Sequence, residues 1–177
     1  MSVPTPEDKT QRIRTVALRL FCELGYGSTT IDDIAEAAGV GVATIYRRWE
    51  DKPALANDIY TNALAGMGEV MATPLTGSTN KQRFLELWRL VWTWVQAHPN
   101  EFTFVETHIN DAFLSADNRA AKATADEGSQ ALLDDFELTA PFELCQSVIL
   151  GTTGMLVRKG ATIDVDAVGE RFWATLR

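Results

Sequence analysis

The chain has 177 residues, 46% of them apolar and 23% charged, and a formal net charge of −8. That length supports one sizeable domain, or a small module joined to a larger one by a shared core, and the composition excludes a disordered or fibrous protein. No apolar run approaches the roughly 18 residues needed to span a bilayer, and Met1 to Asp8 lacks a basic stretch followed by an apolar one, so a cytoplasmic protein with no membrane partner is expected.

The first predicted helix runs from about Glu7 to Leu24, because Ile13, Val16, Ala17, Leu20, Phe21 and Leu24 recur on one 3.6-residue stripe before Gly25. Cys22 and Cys145 fall inside apolar helical patterns and read as reduced core thiols. Thr30 is the expected N-cap of a short second helix, with Asp33 three residues on, Ile31, Ile34, Ala35 and Ala38 facing inward, and Gly39 closing it. A third helix follows Val40-Gly41 and extends to about Trp49. Asp51 caps a fourth that carries Pro53 in its first turn and reaches about Met71. Ala72 to Asn80 is a loop. The fifth helix, Lys81 to His98, is apolar around most of its circumference and is therefore expected to be buried. A sixth helix starts at Pro99, Ser115 caps a seventh that runs to about Phe136, an eighth spans Pro141 to Lys159, and a ninth spans Asp164 to about Leu176. With nine helices and no strand-like alternation, the predicted fold class is all-α.

The second and third helices, joined by a short turn containing glycine, form a helix-turn-helix over about residues 29–49. The net acidity conceals a contrast: up to Pro53 there are seven Lys/Arg against eight Asp/Glu, and beyond it nine against sixteen. With Ile45 at the centre of the third helix's buried side, Trp49 and Val42 lie near it. Ala43 and Arg47 then point away, flanked by Thr44 and Tyr46. Such a face suits the major groove: Arg47 offers two parallel donors to guanine and Ala43 can approach a thymine methyl, while Thr44 and Tyr46 reach phosphates. Lys52, in the first turn of the fourth helix, adds a cation to exposed N–H groups that bind phosphate. Composition alone favours the blander reading, in which Arg47 and Arg48 are merely solvated and Tyr46 is a boundary residue.

A longer window reverses that balance. Ser28 to Leu55, "STTIDDIAEAAGVGVATIYRRWEDKPAL", resembles the DNA-binding domain of the TetR (tetracycline repressor) family, and the first-helix segment "RIRTVALRLFCELGYGSTT" is also similar to that family's. The resemblance implies a three-helix DNA-binding head over residues 1–53 and a ligand-binding and dimerisation body over residues 54–177. It also implies repression at a palindromic operator, relieved by a small molecule. By matching position, Thr30, Thr44, Tyr46 and Lys52 become phosphate contacts and Val42, Ala43 and Arg47 base-edge contacts, with Arg48 able to serve either role. The chain departs from the family pattern at Gly41, where a capping Ser often stands, at Val42, where Lys is frequent, and at Asp32, where a basic residue often meets the backbone.

In the body, Trp88, Trp92, Phe104 and His108 are the candidate pocket residues for an apolar or aromatic effector, with Glu106 and Asn110 nearby in sequence. For any single aromatic, an ordinary core role is the commoner one. The two histidines of the chain, ten residues apart, do not form a zinc set, and no metal or cofactor is expected. The resemblance implies a homodimer through the last two helices, with Val148, Gly151, Met155, Phe172 and Trp173 as its candidate face. An alternative keeps the DNA-binding head but makes the body a docking platform for a protein. An enzyme is the remotest reading, since no Gly-x-Ser-x-Gly, phosphate-cradling loop or metal cluster is present in the sequence.

Overall fold

The computed structural model describes residues 6–108 and 111–177, with side chains from Lys9 onward. Among the described residues there are nine helices and no strand: α1 (Pro6–Leu24), α2 (Ile31–Ala38), α3 (Val42–Tyr46), α4 (Lys52–Met71), α5 (Asn80–Ala97), α6 (Pro99–His108), α7 (Ala116–Asp134), α8 (Phe142–Arg158) and α9 (Val165–Leu176). None of them is long and apolar enough to cross a membrane.

The helix ends follow local chemistry. Thr30 and Asp33 form a full capping box at the start of α2, with the threonine hydroxyl accepting from Asp33 N–H and the Asp33 carboxylate accepting from Thr30 N–H. Gly39 ends α2 at φ +62°, a left-handed conformation that favours glycine. Asp51 accepts from Ala54 N–H at 2.7 Å to start α4. Thr79 and Gln82 form a second capping box at α5.

Two apolar cores result. The first joins Ile13, Ala17 and Phe21 of α1 to Ile31 and Ile34 of α2, to Ile45 and Trp49, to Leu55, Ile59 and Tyr60 of α4, and to Phe104 and Val105 of α6. The head therefore shares its core with the body. The second core is built on α5, whose Phe84, Leu85, Leu87, Trp88, Val91, Trp92 and Val95 are all buried, together with Phe172, Trp173 and Leu176 of α9. Full burial of each such side chain contributes about 1.5–3 kcal/mol.

Four expectations need adjustment. The α-helical part of α3 ends at Tyr46 rather than near Trp49: residues 47 and 48 form a turn, with Trp49 N–H still reaching Ile45 C=O at 2.9 Å. That turn carries the Trp49 indole inward. Phe172 and Trp173, expected on a dimer face, are buried within the protomer. Phe172 meets Trp88 edge-on at 4.9 Å between centroids, and Trp173 lies 5.5 Å from Phe84. The apolar face of α5 gives these rings a partner inside the same chain, while Gln82, Arg89, Thr93 and Gln96 leave its opposite face exposed, so the helix is buried on one side rather than all round. Gly169 allows the approach of α9 to α5, since a Cβ there would stand 2.5 Å from Trp88 Cδ1. Finally, Cys22 is only half-buried. Burial, with Glu101 and Glu23 adding to it, pushes its thiol up to about 11.

Candidate nucleic-acid interface and effector cavity

The helical period of α3 determines what faces outward. Ile45 is fully buried and Trp49 nearly so, while Ala43, Tyr46, Arg47 and Arg48 are exposed and Thr44 is half-exposed. Tyr46, with 52% of its surface exposed, is one of the few large hydrophobic side chains left outside the cores. Arg47 Nη2 lies 3.5 Å from Thr44 Oγ1, so the guanidinium lies along the outward face. Val42 is half-buried against the first core, which leaves less of it for a base edge than for Ala43 or Arg47.

The head is held by polar contacts that sequence reading missed. Asp58 of α4 accepts from Arg14 Nε at 2.8 Å, from Arg14 Nη2 at 3.1 Å and from Trp49 Nε1 at 2.7 Å. One carboxylate thus ties α1, the end of α3 and α4 together. Burial works to raise the Asp58 pKa, but the hydrogen bonds from Arg14 and Trp49 prevail and hold it below the ordinary carboxylate range. Lys52 is likewise engaged: its Nζ donates to Tyr26 C=O at 2.9 Å and Thr29 C=O at 2.8 Å, and stands 4.4 Å from the centre of the Tyr26 ring. The ammonium has three donors, and these two bonds leave one of them over. The Thr30 hydroxyl donates to Asp33 at 2.7 Å and is exposed.

A cavity of about 450 Å³ opens among α4, α5, α6, α7 and α8. Ala63, Leu64, Met67, Gly68 and Met71 line it from α4, and Phe84, Leu87, Trp88, Val91 and Trp94 from α5. Of the expected pocket residues, Trp88 is on this wall. Trp92 is buried in the second core beside Trp88, with ring centroids 5.8 Å apart. Phe104 packs 5.8 Å from Phe21 in the first core, and His108 Nδ1 lies 2.5 Å from Asp111 Oδ2, beside Tyr26 and Phe113. The helical period explains the difference: Phe104 and His108 share a face of α6 turned toward α1, whereas Phe102 and Glu106 share the face that lines the cavity. Asn110 lies outside the described residues. The polar part of the wall comes from Glu106, Lys122, Asp126, Ser129 and Gln146, on three different helices.

On α8, Gly151 and Met155 are exposed, as are Leu144 and Ser147, and Val148 is half-buried. These residues lie along one outward strip at helical spacing.

The profile described as bacterial regulatory proteins, tetR family, matches residues 13–59. The HTH-type transcriptional regulator AcrR of Shigella flexneri is 39% identical over 64 residues, covering 36% of this chain and 30% of AcrR. Across the curated relatives, the matched stretch spans between 30% and 52% of the relative's length. A TetR family transcription regulator from Marinobacter aquaeolei superposes with a TM-score of 0.73 at 18% identity over 95% of each chain. FadR from Bacillus subtilis, solved in complex with stearoyl-CoA, superposes with a TM-score of 0.63 at 16% identity over 94% of this chain and 96% of FadR. These structures share the fold.

Proposed function

We propose that this chain, whose residues 13–59 match the profile of bacterial regulatory proteins of the tetR family, is a dimeric transcriptional regulator released from a palindromic operator by a small, largely apolar molecule. The observation that carries the DNA-binding part is the face of α3, where Ile45 and Trp49 anchor the helix and Ala43, Tyr46, Arg47 and Arg48 are left outward. Arg47 reads a base edge, and Thr44, Tyr46 and the remaining donor of Lys52 grip the backbone. Thr30 adds a hydroxyl at the start of α2, and Arg48 serves either base or phosphate. A homodimer presents two such helices to two half-sites. The outward strip of α8, with Gly151 and Met155, is the surface that would pair with a second copy.

The cavity supports a small-molecule effector; a body filled solid would have supported docking of a protein instead. That FadR was solved with an acyl-CoA supports an apolar ligand for a body of this fold. Helix α4 joins the two ends of the mechanism. Its 20 residues, about 30 Å of helix, start at Lys52 in the head and finish among the cavity residues Met67 to Met71. A ligand that favours one placement of α4 changes the spacing of the two α3 helices, by no more than its differential affinity for the two arrangements.

The test is protection of DNA flanking the gene. Wild-type protein is expected to protect two half-sites with centres about 34–36 Å apart, or a multiple of that. Arg47→Ala is expected to weaken binding to that site by about 1–3 kcal/mol. An operator affinity unchanged in Arg47→Ala would overturn the assignment of the outward face of α3.

A further inference from the structure

The chemical class of the effector follows from how charge is distributed on the cavity wall, an inference that rests on reading the body as an effector site. Most of the wall is apolar carbon from α4, α5 and α8. Its polar sector holds three ionisable groups. Lys122 Nζ bonds both oxygens of Asp126, at 2.6 and 2.8 Å, and Gln146 Nε2 donates to Asp126 Oδ1 at 3.1 Å. That pair neutralises itself. Glu106 is different: it lines the cavity as an exposed side chain, and no described residue donates a hydrogen bond to it or pairs with it. Its pKa is raised, by burial first, with Lys122 opposing and Asp126 adding to the rise. The same negative excess reaches Tyr60, whose wholly buried hydroxyl has no partner. Burial, then Glu106 and Asp126, pushes that phenol up to about 12.

We propose that the cavity selects an amphipathic cation: an apolar body of aliphatic or aromatic carbon bearing one ammonium group that pairs with Glu106. An exposed carboxylate beside an apolar wall has only water as its partner, and a ligand whose apolar body fills the cavity brings a cation to it as counter-charge together with N–H donors. A carboxylate ligand meets the opposite situation. Lys122 is already held by Asp126, so the incoming charge would face Glu106 and Asp126 with no free cation among the described wall residues. A neutral ligand gains the apolar contacts but leaves Glu106 without a partner.

Calorimetric titration of the full chain at neutral pH with decylammonium, decan-1-ol and decanoate holds the apolar part constant and varies the head group. Decylammonium is expected to bind at least about tenfold tighter than decan-1-ol, with decanoate the weakest. Glu106→Gln should bring decylammonium to the level of decan-1-ol while leaving decan-1-ol unchanged. Asp126→Asn, which frees the charge of Lys122, should strengthen decanoate and provides an independent reading if Glu106→Gln does not fold. Should decan-1-ol bind while decylammonium binds no better, or should Glu106→Gln leave the preference intact, the cation assignment fails and the effector site stands. If none of the three binds to protein that unfolds cooperatively, the effector site fails and the cation assignment with it.

Discussion

At the scale of single residues, Asp58 shows how one side chain can tie three segments of the helical head together. It receives Arg14 from α1 and Trp49 from just beyond α3, so one carboxylate in α4 fixes the position of both. Asp58→Asn is expected to lower stability by about 1–3 kcal/mol, because the charge-assisted hydrogen bonds are lost while the shape is kept. The pH dependence has a definite sign. The native pKa of Asp58 lies below its unfolded value, so its stabilising contribution is fully present above the ordinary carboxylate range and is lost as pH falls through the lowered native pKa. Thermal unfolding should show a constant gap between wild type and Asp58→Asn from pH 7 to about 5, closing below about pH 4. Nothing in the sequence marks this aspartate, since a carboxylate on an amphipathic helix ordinarily faces water. Arg14 is hidden for the same reason. Lys52 was visible as a cation at a helix start, yet only the structure shows that two of its donors hold the Tyr26 and Thr29 carbonyls.

Elements were legible wherever their ends are written in side-chain chemistry. The capping box of Thr30 and Asp33, the Gly39 terminus and the Asp51 cap all stand where local rules place them. Thr30 carries two tasks, since its hydroxyl closes the box and is also a candidate phosphate contact. Thr30→Ala is expected to destabilise the head by about 1 kcal/mol. Hydrogen exchange should locate the loss in the first turn of α2, whereas a loss spread evenly over the head would argue against local capping. Helix α3 resisted the same reading at its far end. Its N-cap, Gly41, has no side chain to bond, and its C-terminal limit is set by Trp49 turning in to reach Asp58, a contact nine residues along the chain. The close approach of α9 to α5 at Gly169 was equally hidden, because a glycine inside a helical pattern does not say which neighbour it accommodates.

At the scale of the molecule, α4 packs in the core that the amino-terminal helices share with α6, and it is hydrogen-bonded to α7. Asn118 Nδ2 donates to the Asn57 backbone C=O at 3.0 Å and to Asn57 Oδ1 at 2.9 Å, and Thr61 donates to Asn118 Oδ1 at 2.8 Å. One turn further along α7 stand Lys122 and then Asp126, both on the cavity wall. Asn118→Ala is therefore expected to leave operator and effector binding each measurable but to reduce their coupling, which for such systems is about 1–3 kcal/mol. Operator affinity measured with and without saturating effector gives the coupling directly; a variant with the full wild-type factor would exclude this route. The sequence by itself determined the all-α class, the helix-turn-helix and the residues that α3 turns outward, because periodicity and capping act over a few residues and are written where they act. Which apolar faces meet was decided only by the tertiary structure: Phe172 and Trp173 turn inward because α5 offers them apolar surface within the same chain. The polar wall of the cavity was decided there as well. Glu106, Lys122, Asp126 and Gln146 come from three helices, and only packing brings them to one side of a single space.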